Sequence, residues 1–528
     1  MWALVREPCD PKISSSAVAR STCTKSRARW ILAATILASS MAFIDGTVVN
    51  VALPALQTNL NATALHMQWV VEAYSLLLSA LLLVGGSLGD HYGRRRIFVI
   101  GVALFAVASA ACGFAANIVQ LIAARAFQGL GAALLVPGSL AIISSSFSEE
   151  ERGRAIGTWS GFSAITTAIG PVLGGWLIEH VSWRAVFFIN LPIAAAVILI
   201  SLRHVAESVE GDQTTIDWLG ATLAATGLGA LVYGLIESSR LDFGDETVIV
   251  DLSVAVVLLG AFLLVEFRSA QPMLPPSLFR SATFTGANLL TFFLYAALGG
   301  TLFFLPLNLI QVQHYSATAA GAALLPFILL MSVLSRWSGG LVARYGARLP
   351  LVIGPLIAAV GYTLFMLPGI GGNYWTSFFP AIAILGLGMS VSVAPLTTTV
   401  MTAVAPNRYG IASGVNNAVA RSAGLLAIAV LGVVMFHGFN VEIDRRITEL
   451  NLPESTARSL QSQRTKLAAI VLPDDVDLAT REKVRRAIEE SFIAGFKTVM
   501  AIGAILALAS SATALALIRA DKKSSKNT

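Results

Sequence analysis

The chain has 528 residues, of which 55% are hydrophobic and 12% charged, and its mean hydropathy is +0.74. Soluble domains carry roughly 25% charged residues, so a water-soluble globule is excluded, whereas lipid can solvate the surplus apolar surface. The net charge of +6 would suggest nucleic acid in a soluble protein; here the basic clusters are short and flank apolar runs, so we read them as membrane-anchoring loops and expect no nucleic-acid partner.

In chain order, a polar, basic tail (1–30) precedes an apolar run at 31–54. That run exceeds the ~7–15 residues of a signal-peptide core, so it is expected to stay as a spanning helix. Further apolar segments fall at 68–88, 97–116, 118–143, 155–178, 184–202, 217–237, 248–268, 284–310, 318–342, 350–368, 375–402, 411–437 and 491–518. A bilayer core demands ~20 residues of helix, and the runs are continuous rather than alternating, which favours helices over barrel strands. The expected fold class is an all-α integral membrane protein with 14 transmembrane helices.

An even number of crossings puts both termini on one face. On that assumption the tails and same-side loops hold 21 Lys and Arg, and the six short loops opposite hold two, Arg184 and Arg240. The positive-inside rule then makes both termini cytoplasmic. The stretch 438–490, with nine Lys/Arg and ten acidic residues, falls outside; long loops translocate with little regard to charge. Within it, ATREKVRRAIEESF reads as a surface helix of a cap. Cys9, Cys23 and Cys112 are too few and scattered for a disulfide framework or a zinc site.

An internal repeat organises the chain. Gly129-Leu130-Gly131 recurs as Gly386-Leu387-Gly388, an offset of 257; Gly93 matches Gly346, an offset of 253, and Arg152 matches Arg408, an offset of 256. Two related six-helix bundles are expected, at 31–203 and 284–518, with a two-helix insert and linkers at 204–283 and a tail at 519–528. Secondary transporters are often built from such parallel repeats, with the substrate path between the halves.

Ionisable residues inside the membrane carry a cost that function usually explains. At ~1.5 Å per residue, Asp45 lies about 13 Å, Arg125 about 11 Å and Glu72 about 6 Å from the outer ends of their spans, depths that permit contact. Burial favours a neutral Asp45 and a nearby Arg125 an ionised one, so Asp45 reads as a proton carrier and counter-charge for a cationic substrate, or as half of a static ion pair. Glu72 is shallow enough to reach water. Arg421, about 16 Å into its span, has no obvious carboxylate partner; it would hold an anionic part of a substrate or a helix-end carbonyl.

Several stretches resemble motifs of one known family. GSLGDHYGRRR (Gly86 to Arg96) resembles the signature loop after the second helix of the major facilitator superfamily, ARAFQGLGAA around Arg125 its fourth-helix motif, and AIGPVLGGW (Ala168 to Trp176) its fifth-helix antiporter motif. FIDGTVVNVALP (Phe43 to Pro54) and WRAVFFINLP (Trp183 to Pro192) are similar to motifs of its fourteen-helix drug:proton antiporters, the EmrB/QacA type. The resemblance implies a multi-pass exporter of the cell inner membrane, driven by the proton gradient without a cofactor. Its partners would be protons, a small-molecule substrate and the bilayer, with room for a periplasmic adaptor and outer-membrane channel.

Within the signature loop, Gly86 and Gly93 would allow close approach and a tight turn. Asp90 beside Arg94, Arg95 and Arg96 would form a latch between the halves, or the arginines a plain membrane anchor. Ala343 replaces Asp90 in the second half, so any latch is asymmetric. Gly170, Pro171, Gly174 and Gly175 would permit tight packing and a bend, which the resemblance links to sealing an antiporter against proton leak. No phosphate loop, HExxH or nucleophile–base motif occurs, so an enzyme is not expected. The expected function is proton-coupled export of hydrophobic or amphipathic molecules, as in multidrug efflux and antibiotic resistance. A proton symporter importing a nutrient and a non-transporting membrane sensor are the alternatives.

Overall fold

The computed structural model describes residues 25–209, 217–269, 272–405, 408–450, 452–472 and 476–519. Most of the tail expected at 1–30, with Cys9 and Cys23, nearly all of that at 519–528 and part of the linker at 204–283 lie outside them. The described residues contain helices and no strand. In order, those longer than ten residues are α1 (Lys25–Asn59), α2 (Ala64–Tyr92), α3 (Arg94–Phe114), α4 (Ile118–Ser146), α5 (Glu149–His180), α6 (Ala185–His204) and α7 (Trp218–Leu241). Then follow α8 (Glu246–Arg268), α9 (Ala282–Val312), α10 (Ala317–Ser335), α11 (Arg348–Leu364), α12 (Phe379–Thr402), α13 (Tyr409–Leu450) and α14 (Leu478–Leu517).

Local chemistry sets the starts. Thr63 accepts from the His66 amide at 3.2 Å while His66 Nδ1 accepts from the Thr63 amide at 3.2 Å, a reciprocal cap on α2. Asn117 caps α4 through the Gln120 amide at 2.9 Å. Thirteen of the helices are long and apolar enough to cross a membrane. The other, α11, has 17 residues, at the short limit of ~17–25 for a span. It stops short of the expected residue 368, where Pro368 and Gly369 cannot extend it. Length and composition therefore support thirteen crossings, and the expected fourteenth rests on this one short helix.

The stretch 438–490 differs from expectation. α13 runs unbroken for 42 residues and α14 for 40, so about half of the expected loop extends the two spans, and ATREKVRRAIEESF forms the opening turns of α14. Ion pairs at helical spacing hold these polar extensions: Arg446 to Glu442 at 2.7 Å and Arg486 to Glu490 at 3.1 Å. Arg446 also pairs with Glu490, joining α13 to α14.

Helices α1 to α6 pack among themselves, chiefly α1 on α5 and both α2 and α3 on α4; α9 to α14 do likewise, with α10 and α11 on α12 and α9 on α13 and α14. Helix α7 lies against α2 and α13, and α8 packs on α7. The repeat is physical. A Cβ on Gly129 would sit 2.3 Å from the Tyr74 carbonyl oxygen of α2, and one on Gly131 2.6 Å from the Phe105 amide of α3. Their counterparts meet the same partners in the other half: Gly386 would touch Phe327 Cα of α10 at 2.9 Å, and Gly388 the Ala358 amide of α11 at 2.5 Å. In each half the central helix approaches two neighbours at backbone contact, which only glycine permits.

Bonds between loops fix which helix ends share a side. Arg27 with the His204 carbonyl, Arg94 with the Ser208 carbonyl, and Arg348 with the Leu515 carbonyl mark the side where α1 begins, called near. Gln57 with Gln311 at 2.9 Å, His314 with Glu489 at 2.9 Å and Glu179 with Thr318 at 2.6 Å mark the far side.

Candidate functional site

Asp45 and Arg125 meet. Arg125 Nη1 donates to Asp45 Oδ2 at 2.5 Å, and each residue is 1% exposed. Gln128, one turn beyond Arg125, closes the group: its amide donates to Asp45 Oδ1 at 2.8 Å and its oxygen accepts from Arg125 Nη1 at 2.7 Å. Arg125 Nε donates to the Val70 carbonyl at 3.0 Å, and the guanidinium lies 4.3 Å from the centre of the Tyr74 ring. Ser109 accepts from Gln128 at 3.3 Å and from Asn190 at 2.9 Å. A charge pair taken out of water holds only when its remaining donors and acceptors are satisfied, and here α1, α2, α3, α4 and α6 all contribute. Gln128, Ser109, Tyr74 and Asn190 were not singled out in the sequence. Gln128 has a signal in hindsight, since it lies three residues after Arg125 on the same helical face.

A cavity of about 500 Å³ lies between the halves. Arg125 reaches its wall, and so does Gly46, but Asp45 does not. The carboxylate sits one layer back, so the expected counter-charge for a cation is not on the wall. Protonating Asp45 would cancel the charge that holds Arg125, leaving the guanidinium to the cavity. Arg421 lines the opposite wall with Tyr295 and Asn417.

Glu72 departs from its expected place. It is 0% exposed, with no reach to water, and neither carboxyl oxygen has a hydrogen-bond partner among the described residues. The reason is that α7 covers this face of α2: Trp69 packs on Tyr233 with ring centres 5.9 Å apart, and a Cβ on Gly229 would lie 3.5 Å from Leu76. Glu72 makes no hydrogen bond to the Asp45 group.

The fifth-helix motif divides between two neighbours. Gly170 and Gly174 face α1, where a Cβ would lie 2.4 Å from Thr47 Oγ1 and 2.5 Å from Val48 Cγ1. Gly175 faces the other half: a Cβ there would lie 2.3 Å from the Ala317 carbonyl oxygen, while one on Gly321 would lie 2.1 Å from that of Pro171. The far ends of α5 and α10 thus close on each other at backbone distance. By contrast, the cavity reaches Val400 and Met401 near the end of α12 and Ser413 near the start of α13, towards the near side.

In the signature loop, Gly93 has φ +107°, a backbone angle that calls for glycine, whereas the Glu207 Oε1 that a Cβ would meet at 2.6 Å is the end of a side chain able to move aside. Gly346 repeats the turn with φ +76°. Close approach falls on Gly85 rather than Gly86: a Cβ would lie 2.0 Å from the Ala133 carbonyl oxygen at Gly85 but 3.8 Å from Pro137 at Gly86, an ordinary contact. Arg94 donates to Asp90 at 2.8 Å within the first half and Arg95 pairs with Glu207 of the linker that follows it at 3.5 Å, so neither partner comes from the second half. Arg96 carries no ion pair among the described residues.

Residues 35–428 match the family model of the Major Facilitator Superfamily. The multidrug resistance protein Stp of Mycobacterium tuberculosis is 34% identical over 480 residues, 89% of this chain and 88% of that protein. The tetracenomycin C resistance and export protein of Streptomyces glaucescens is 31% identical over 506 residues, 95% of this chain and 94% of its own length. Among solved structures, a bacterial homologue of the human lysosomal transporter Spinster, inward-facing and occupied, aligns with a TM-score of 0.63 at 16% identity, covering 94% of this chain and 98% of that one.

Proposed function

The chain belongs to the major facilitator superfamily, and on that premise we propose that it is a carrier, not an enzyme, that expels hydrophobic or amphipathic small molecules in exchange for protons. Export is supported by relatives whose names state drug resistance or efflux, such as Stp and the drug efflux pump JefA of Mycobacterium tuberculosis. The observation that carries coupling is the buried Asp45–Arg125 pair, with the arginine in the wall of a cavity between the halves and the carboxylate one layer behind it. The basic loops make the near side cytoplasmic, so a cavity reaching the near side with the far side shut is the inward-facing state of an inner-membrane protein.

The cycle follows from that geometry. Substrate enters from the near side; the halves rock until α5 and α10 part and the far side opens. A proton arriving there neutralises Asp45, loosens its hold on Arg125, and is carried to the near side as the far ends close again. Each proton moving inward supplies ~2.3 kcal/mol per 100 mV of membrane potential. The signature loop, through Asp90 and the arginines, would steady the alternate state.

The test is reconstituted vesicles with an imposed pH gradient and a panel of lipophilic toxic compounds. The parent chain is expected to move substrate against proton flow, and Asp45→Asn to stop coupled movement while retaining a folded, monodisperse protein. Gradient-driven transport by Asp45→Asn at the parent rate would remove Asp45 from the coupling step.

A further inference from the structure

We infer that the cavity selects amphipathic aromatic anions, with Arg421 as the residue that holds the anionic group. This rests on the export reading above and names the substrate class that reading leaves open.

The first observation is the charge of the wall. Among the described residues its lining includes two arginines and no aspartate or glutamate. Ring faces alone can hold an organic cation, but here the Tyr74 face is already taken by Arg125 and two guanidiniums on the wall would repel a second cation. Here the carboxylates are elsewhere: Asp45 stands behind Arg125, and Glu72 is wholly enclosed on α2 outside the wall.

The two arginines also differ. Arg125 is already engaged by Asp45, Gln128, the Val70 carbonyl and the Tyr74 ring face. Arg421 has no hydrogen bond or ion pair among the described residues. The titratable groups close enough to act on it are the phenols of Tyr74 and Tyr295, and a neutral phenol does not balance a guanidinium. Nor does Asn416 turn to it: that amide donates to Thr291 Oγ1 at 2.7 Å and to Asn288 Oδ1 at 3.2 Å. A planar fork of donors in a low-dielectric chamber, without a partner among the described residues, is matched best by a carboxylate or an ionised phenol or enol.

The rest of the wall describes the body of the ligand. Phe43, Tyr74 and Tyr295 supply aromatic surface, and Gly424, whose Cβ position faces open space, leaves room beside them for a flat ring system. A volume of about 500 Å³ falls in the usual range of ~300–1,000 Å³ for drug-sized ligands. Energetics agree in sign: an interior-negative membrane pushes an anion outward and draws a proton inward, so both legs of the exchange run with the potential. Cation-for-proton exchange would cancel that drive.

The inference is tested on the full-length protein in nanodiscs, without any gradient, using three fluorescent probes that share one ring system: pyrenebutyrate, its methyl ester and pyrenemethylammonium. The parent chain is expected to bind the carboxylate about tenfold or more tightly than the other two, the scale at which one charge-assisted contact shows. Arg421→Gln should bring the carboxylate down to the ester's affinity without moving the ester, and Arg421→Lys should keep part of the preference. Tightest binding of the ammonium, no preference among the three, no binding of any of them, or an equal loss of all three in Arg421→Gln would overturn it. Because binding is read without a gradient, the outcomes separate. An anion preference with no gradient-driven efflux sinks the export reading alone, and efflux of cations with no anion preference sinks this one alone.

Discussion

In the first half, α4 carries Arg125 and answers it with Asp45 from α1; in the second half the offset of 257 puts Ile382 and Leu302 at those places. Around these sites the packing is shared, because Gly129 and Gly131 meet the backbones of α2 and α3 as Gly386 and Gly388 meet those of α10 and α11. Backbone approach is thus common to both halves and buried charge is not. A duplicated scaffold can keep its helix crossings while one copy holds the titrating pair and the other offers a bare guanidinium, Arg421, to the cavity. The rocking frame and the chemistry it serves are separable parts of the molecule.

The sharpest way to break this comparison is to remove one charge. Arg125→Leu would leave Asp45 buried without its partner and should cost ~3–5 kcal/mol, whereas Ile382→Val at the equivalent place should cost ~0.5–1.5 kcal/mol. Thermal unfolding in detergent reads both. The double variant Asp45→Asn/Arg125→Leu should recover most of the first loss; a single variant no worse than the double would mean that the pair carries no uncompensated charge. Next in size is Gly175→Val, whose side chain cannot share space with the Ala317 carbonyl. Overpacking of ~1–3 kcal/mol should part the far ends of α5 and α10 and make a cysteine placed at the buried Ala320 reactive to a water-soluble maleimide. Unchanged protection would show that this contact does not close the far side.

The shared packing is probed by Gly129→Ala and Gly386→Ala. Each should lose ~1–3 kcal/mol, with the larger loss at Gly129, where the clash is with a carbonyl oxygen at 2.3 Å rather than with Cα at 2.9 Å. Destabilisation by only one of them would deny that the two crossings are equivalent. The smallest effect on stability is expected of Asp90→Asn, whose partly exposed pair with Arg94 is worth ~0.3–0.5 kcal/mol. If the loop steadies one state of the cycle, transport will slow with hardly any change in melting temperature; transport at the parent rate would leave the arginines as a membrane anchor only.

The spans were legible because lipid asks one simple thing of a sequence, a long apolar run, and the glycine repeats were legible because no other residue fits a backbone crossing. The depths of Asp45 and Arg125 allowed their meeting without requiring it. Other features were hidden for particular reasons. The polar ends of α13 and α14 looked like a loop because hydropathy falls where charges begin, although Glu442, Arg446, Arg486 and Glu490 stand at helical spacing. Counting residues from the end of an apolar run placed Glu72 near the surface, since nothing on α2 itself announces that α7 covers it. Gln128 escaped notice because an uncharged amide is costly in lipid only when unpartnered, and its partners come from helices distant in sequence.

The unbroken length of α13 has a mechanical consequence. From Arg421 at the cavity to Leu450 at the tip, the helix runs for about 43 Å at ~1.5 Å per residue, and α14 is riveted alongside it by Arg446 and Glu490. A stiff arm of that span magnifies rotation: a tilt of about 10° at the cavity would sweep the tip by roughly 7 Å on that rise per residue. The hairpin is therefore an external pointer to the attitude of the second half, and paired spectroscopic labels, one at its tip and one on the far end of α3, would follow each stroke from outside the bilayer.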